Sequence, residues 1–122
     1  MYKYEWEDKC WGKVQHVFAS EQAAISHLVV NRGWRCSKHL HRERANLFAV
    51  SSGCIAVDEW DKEKRIKTTF LEVGEVHVVP SGVMHRFRVV SSGVVIEVYW
   101  SDVDDGRVSL SDIDREDAGG QV

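Results

Sequence analysis

Gly33-Trp34-Arg35-Cys36-Ser37-Lys38-His39-Leu40-His41 and, further on, Gly74-Glu75-Val76-His77-Val78-Val79-Pro80-Ser81-Gly82-Val83-Met84-His85 are the stretches from which the architecture follows. His39 and His41 stand one residue apart, and side chains at i and i+2 of a strand point to the same face. On that parity they share a face with Ser37 and Arg35, while Trp34, Cys36, Lys38 and Leu40 take the other. A third imidazole, His85, follows the Pro80–Gly82 turn. Three neutral imidazoles converging on one point make a site for a divalent transition metal. The punctuation is regular. Gly33 is followed by five residues, His39, one residue, His41 and later Gly53. Gly74 is followed by five residues, Pro80, one residue, Gly82, two residues and His85.

Around these frames the chain offers short β-rich runs and no sustained apolar stripe of helical period. Ala24–Val30 ends at the turn signal Asn31-Arg32-Gly33. Leu47–Val50 and Cys54–Trp60 flank Ser51-Ser52-Gly53, which reads as a hairpin. Ile66–Leu71 follows the charged turn Asp61–Arg65, and Val76–Val79, Met84–Val90 and Val94–Trp100 complete the set, with Ser91-Ser92-Gly93 between the last two. Many short strands joined by polar turns predict an all-β sandwich or barrel. The barrel is expected over about residues 11–101 of a single domain spanning 1–122. The acidic tail 102–122 is expected to be a short helix or coil, frayed at Gly119-Gly120.

Composition narrows the partners. A formal charge of −3 argues against nucleic acid, which favours a basic excess. No apolar run approaches a membrane span. Cys10, Cys36 and Cys54 form no Cys-x-x-Cys pair, and an odd number of thiols fits a reducing compartment. With an N-terminus that lacks the apolar core of a signal peptide, the expected location is the cytoplasm. The aromatic segment Tyr2, Tyr4, Trp6 and Trp11 is expected to form a barrel-edge or dimer strand, and hence a homodimer.

The two spaced histidine frames resemble those of the cupins, small β-barrels in which such frames supply metal ligands. The usual fourth ligand of that pattern, a glutamate, corresponds here to Asn46, and its distal asparagine to Val89. The likeness extends to the type II phosphomannose isomerases. Trp11-Gly12, Arg44-Ala45-Asn46-Leu47-Phe48, Ile96-Glu97-Val98 and Asp112-Ile113-x-Arg115 sit where that family has Trp-Gly, Arg-x-Glu-His-Trp, Ile-Glu-Val and Asp-Ile-x-Arg. The family has glutamine where His39 stands. The resemblance implies a cupin (jelly-roll) barrel and a mannose-6-phosphate-isomerase-like protein.

On this reading His39, His41 and His85 hold one divalent ion, and imidazole suits Zn, Fe, Ni or Mn. With no carboxylate among the ligands, the site keeps a charge of about +2 and should favour an anion. Glu97 and His77 are the acid–base groups to consider, Glu97 also from the family match. Period two leaves Glu97 open, because Val94, Ile96, Val98 and Trp100 form one apolar face and Glu97 sits on the other. Arg44 and Arg35 can clamp a phosphate or carboxylate, and Asn46 and Phe87 complete the substrate-binding set. Phe48, Phe87, Trp60 and Trp100 are expected to line or fill the barrel, with Arg86 and Arg88 outward. The function expected is binding or conversion of a small polar or anionic metabolite. A three-histidine iron dioxygenase and a non-enzymatic ligand-binding module are the alternatives.

Overall fold

A computed structural model describes residues 5–122. Its strands are, in order, β1 (Trp6–Lys9), β2 (Gly12–Ala19), β3 (Ala23–Val30), β4 (Trp34–Arg35), β5 (His39–Leu40), β6 (Arg44–Trp60), β7 (Ile66–Leu71), β8 (Val76–Val79), β9 (Met84–Ser101), β10 (Asp114–Arg115) and β11 (Gly120–Gln121). Every pairing is antiparallel, and no helix occurs among the described residues. Tyr2 and Tyr4 lie outside the described residues.

Two long bent strands, β6 and β9, organise the barrel. The first half of β6 (Arg44–Val50) pairs with β8 and with the second half of β9, which also pairs with β3. The second half of β6 (Ile55–Trp60) pairs with β7 and with the first half of β9, which in turn meets β4 and β5. The sheet is thereby folded into two layers that share both strands. Their inner faces merge in one core containing Val14, Leu28, Phe48 and Val95 from one layer and Ile55, Val57, Leu71, Phe87 and Val89 from the other. Burying such a side chain contributes about 1.5–3 kcal/mol. Phe87 meets the Trp11 ring edge-on at 5.1 Å and Phe48 at 6.0 Å, so the layers interlock through aromatic rings.

The hairpin expected at Ser51-Ser52-Gly53 is instead a bend inside β6, and Ser91-Ser92-Gly93 bends β9 in the same way. The register shifts between Val50 and Ile55 as the two bends cross. Space forces glycine at the crossing. A Cβ on Gly93 would lie 2.0 Å from Ser52 O, and one on Gly53 (φ +82°) 2.5 Å from Ser91 O.

The tail is coil over most of its length, as one of its two expected forms had it, but it is neither helical nor frayed at Gly119-Gly120. It forms strands β10 and β11, which add to the free edges of β5 and β4. The Asp117 carboxylate closes the turn between them, accepting from Lys38 N (3.0 Å), Gly119 N (2.9 Å) and Arg35 Nη1 (3.1 Å). Open strand edges and a side-chain-capped turn satisfy backbone groups that a frayed tail would leave to water. Trp11 is buried in the core, while Trp6 stands half-exposed on β1, the terminal strand of its layer.

Candidate metal centre

His39 and His85 face each other directly across β5 and β9, and His41 follows two residues after His39. The three rings cluster with centroids 4.9 Å (His39–His41), 4.6 Å (His39–His85) and 5.3 Å (His41–His85) apart. All three are buried, and one nitrogen from each lies within 4.8 Å of the others. In each ring Nδ1 meets a backbone carbonyl: Ser37 O at 2.6 Å, Asp112 O at 2.7 Å and Val83 O at 2.8 Å respectively for His39, His41 and His85. A carbonyl only accepts, so Nδ1 carries the proton and Nε2 keeps its lone pair. The Nε2 atoms of His41 and His85 are buried without any hydrogen-bond partner. Burial, joined by the positive charge of neighbouring groups, pushes the imidazole pKa values down to about 2 (His39), about 3 (His41) and about 4 (His85). Neutral imidazoles with bare, converging Nε2 atoms fit a divalent transition metal.

His39 and His41 line a cavity of about 1030 Å³, with His85 adjoining His39 behind its wall; the lining also includes His16, Cys36, Arg44, Phe48, Phe87, Glu97 and Tyr99 and the tail residues Leu110, Ser111, Ile113, Arg115 and Ala118. Glu97 points inward. Val95, Glu97 and Tyr99 are buried, whereas Ile96, Val98 and Trp100 take the outer face. The apolar face of that strand is the outer one because the inner one serves a polar cavity. Asn46, fully buried on the neighbouring β6, donates from Nδ2 to Glu97 Oε2 at 3.0 Å, and the Tyr99 hydroxyl donates to the same carboxylate. Burial raises the Glu97 pKa above the ordinary carboxylate value, a rise that the bonds from Tyr99 and Asn46 and the Arg44 charge only partly offset. Asn46 Oδ1 has no partner, so the residue standing where the resembled pattern has glutamate still offers a bare oxygen inside the barrel.

Arg44 is 3 % exposed and lies over the Tyr99 ring, with Cζ 3.9 Å from the centroid. Its Nη1 donates to Ser109 O, while Nε is buried without a partner. It makes no ion pair with a carboxylate among the described residues. The guanidinium therefore keeps one edge for a bidentate anion. Phe87, nearly fully buried, supplies part of the apolar wall.

Arg35 and His77 do not join this group. Arg35 pairs across the sheet with Arg88 and His39 with His85, four steps along one strand against three along the other. That one extra residue reverses the parity, so Cys36 faces the core and Arg35 the outside, where it binds Asp117. Burial pushes the Cys36 thiol up to about 12, which keeps it protonated. His77 stands opposite Phe48 on β8 but bonds through Nε2 to Glu59, the cross-strand neighbour of His85, outside the cavity lining. Trp60 and Trp100, expected in the barrel, sit on outer faces, and the Trp60 ring receives Lys38 and Arg86. Arg86 and Arg88 do point outward, onto the Asp58 carboxylate. Sequence reasoning assigned no site role to Tyr99, to His16 or to the tail, although it matched Asp112-Ile113-x-Arg115 to a family motif. The period-two register from Glu97 would have found Tyr99, and the Asp112-Ile113-x-Arg115 motif was the signal for the tail.

The fold and site together define a cupin barrel whose interior carries a three-histidine cluster suited to a divalent transition metal. Solved structures of Bacillus subtilis oxalate decarboxylase superpose on it. An arginine-to-alanine variant gives a TM-score of 0.77 at 19% identity over 93% of this chain and 30% of that one. A tryptophan-to-phenylalanine variant gives 0.72 at 18% identity over 88% and 30%. A third, from work on the Mn(II) centres of that enzyme, gives 0.70 at 16% identity over 88% and 30%. The chain thus spans about 30% of the length of these structures, and the likeness is one of fold. No protein-family model and no curated protein matches the sequence. No helix among the described residues is long and apolar enough to cross a membrane.

Proposed function

We propose that the chain binds a small anionic metabolite at a mononuclear site formed by His39, His41 and His85 and moves a proton on it. This is chemistry of the sugar-phosphate-isomerase kind, toward which the motifs resembling type II phosphomannose isomerases also point. One observation carries the reading: His39 and His41, two of three clustered imidazoles, line the same cavity as a buried carboxylate, Glu97. A divalent ion, when bound, would polarise a carbonyl and its neighbouring hydroxyl. Glu97 takes a proton from one carbon and returns it to the next, its raised pKa keeping it basic enough to accept and acidic enough to release. Asn46 and Tyr99 hold that carboxylate in one orientation. The free edge of Arg44 receives the phosphate or carboxylate of the ligand.

The test begins with elemental analysis of protein purified without chelators. Manganese, the ion named for the structurally similar oxalate decarboxylase, is the first to reload. Sugar phosphates, 2-hydroxy acids and oxalate are then incubated in deuterated water. The expected result is deuterium exchange at the carbon beside the carbonyl, lost in Glu97→Gln while metal content holds. Metal-loaded protein that binds anions without exchange would reduce the chain to a binding module.

A second reading has its own support. Asn46 in place of a carboxylate leaves three neutral ligands, a donor set that also serves an iron dioxygenase. Iron in the protein with substrate-dependent oxygen uptake selects it. We further propose that the chain forms a homodimer through the edge of β1; light scattering that reports a monomer at micromolar concentration would end that claim.

A further inference from the structure

The tail reaches every site residue carried by the segment from His39 to Arg44. Asp112 O accepts from His41 Nδ1 at 2.7 Å. Ser109 O accepts from Arg44 Nη1. Arg115 pairs with His39, and Asp114 with Leu40. The Asp112 carboxylate accepts from Arg42 N at 2.8 Å and Glu43 N at 2.9 Å, so one residue fixes both the His41 ring and the turn that follows it. Leu110, Ser111, Ile113, Arg115 and Ala118 form part of the cavity wall. Outside, three ion pairs hold the segment down: Arg42–Asp114 (2.5 Å), Lys38–Glu116 (3.0 Å) and Arg35–Asp117 (3.1 Å). Its strand pairings are short, two residues each in β10 and β11.

We propose that residues 109–118 are a strap whose docking is thermodynamically linked to metal binding through Asp112, which acts as a positioning residue for His41. The inference rests on the three histidines being metal ligands. A ligating imidazole binds best when its other nitrogen is held by a fixed acceptor, and for His41 that acceptor belongs to the strap. Undocking frees the ring to rotate and change tautomer. Linkage is reciprocal, so metal must hold the strap closed by the same factor that the strap favours metal.

Zn(II) alone is titrated into the full chain, Asp112→Ala and Asp112→Asn by competition calorimetry, with amide hydrogen exchange and the His41 ring tautomer followed by nitrogen-15 NMR. Zn(II) is expected to slow exchange across 109–118 in the parent chain. Asp112→Ala keeps the backbone carbonyl that accepts from His41 but loses the carboxylate that pins the 42–43 turn to the strap; it should bind Zn(II) about 10-fold more weakly and show a mixed His41 tautomer, while Asp112→Asn, which keeps one acceptor oxygen for the turn, falls between. A role in stability alone would lower the melting temperature and leave the affinity of the folded protein unchanged. Equal affinity in Asp112→Ala, or strap exchange indifferent to Zn(II) in the parent chain, overturns the linkage; the exchange measurement needs no variant to fold. A parent chain that binds no metal instead removes the three-histidine reading itself, and the linkage with it.

Discussion

A proton on any of the three site imidazoles is costly while the barrel is closed. Their folded-state pKa values of about 2, 3 and 4 lie below the ordinary histidine value of 6.5, so as pH falls the unfolded chain takes up protons before the folded one does. Stability is therefore complete above pH 6.5 and declines below it until the folded rings titrate too, by up to about 1.4 kcal/mol per pH unit for each ring. Melts of metal-free protein from pH 7.5 to 5 should show this decline, reduced in His85→Ala; a flat profile would contradict the burial of the rings. Glu97 carries the opposite shift, so the acid limb of a pH–rate profile should lie above the ordinary carboxylate range and vanish in Glu97→Gln. The histidines were legible because glycine and proline spacing announces them. Glu97 was named as an acid–base group, but its direction was not legible, because an alternating strand reveals two faces without saying which is inside, and a polar cavity inverts the usual choice. Arg35 was misread because one extra residue before His39 reverses parity without leaving a mark in the sequence.

Among the elements, β6 and β9 taught the most. Their runs of apolar residues were legible, but Ser-Ser-Gly is turn chemistry that serves a hairpin and a bend equally well. Only the partner strand distinguishes the two, and pairing is a long-range property. Because the crossing admits no Cβ, Gly93→Ala should destabilise by at least the cost of overpacking, about 1–3 kcal/mol. A chemical denaturation midpoint unchanged from the parent would refute the close approach. On the outer face of β6, Asp58 is buried beneath Arg88, Arg86 and Thr68. Burial alone would raise its pKa, but the bonds from Arg88, Arg86 and Thr68 hold it down at about 2. Its contribution is thus present above the ordinary value of 3.8 and lost as pH falls through about 2. Asp58→Asn should lower the melting temperature while leaving metal uptake intact, since the cluster lies on the far side of the sheet from the histidines. The tail's conformation was unreadable for a different reason: its order depends on strand edges and backbone amides some 70 residues away in sequence.

The molecule as a whole is a barrel with its polar chemistry gathered inside and its charge pairs outside. That much followed from strand count, turn spacing and the two histidine frames. Which side chains meet in the cavity depended on register, which the sequence does not spell out. The shared strands also govern how the barrel comes apart. Neither layer owns β6 or β9, so neither can peel away while its fellow survives. Slow-exchanging amides on both layers should therefore open with one common free energy under mild denaturant, and the ion-binding pocket should disappear in the same event, never as a separate partial melting.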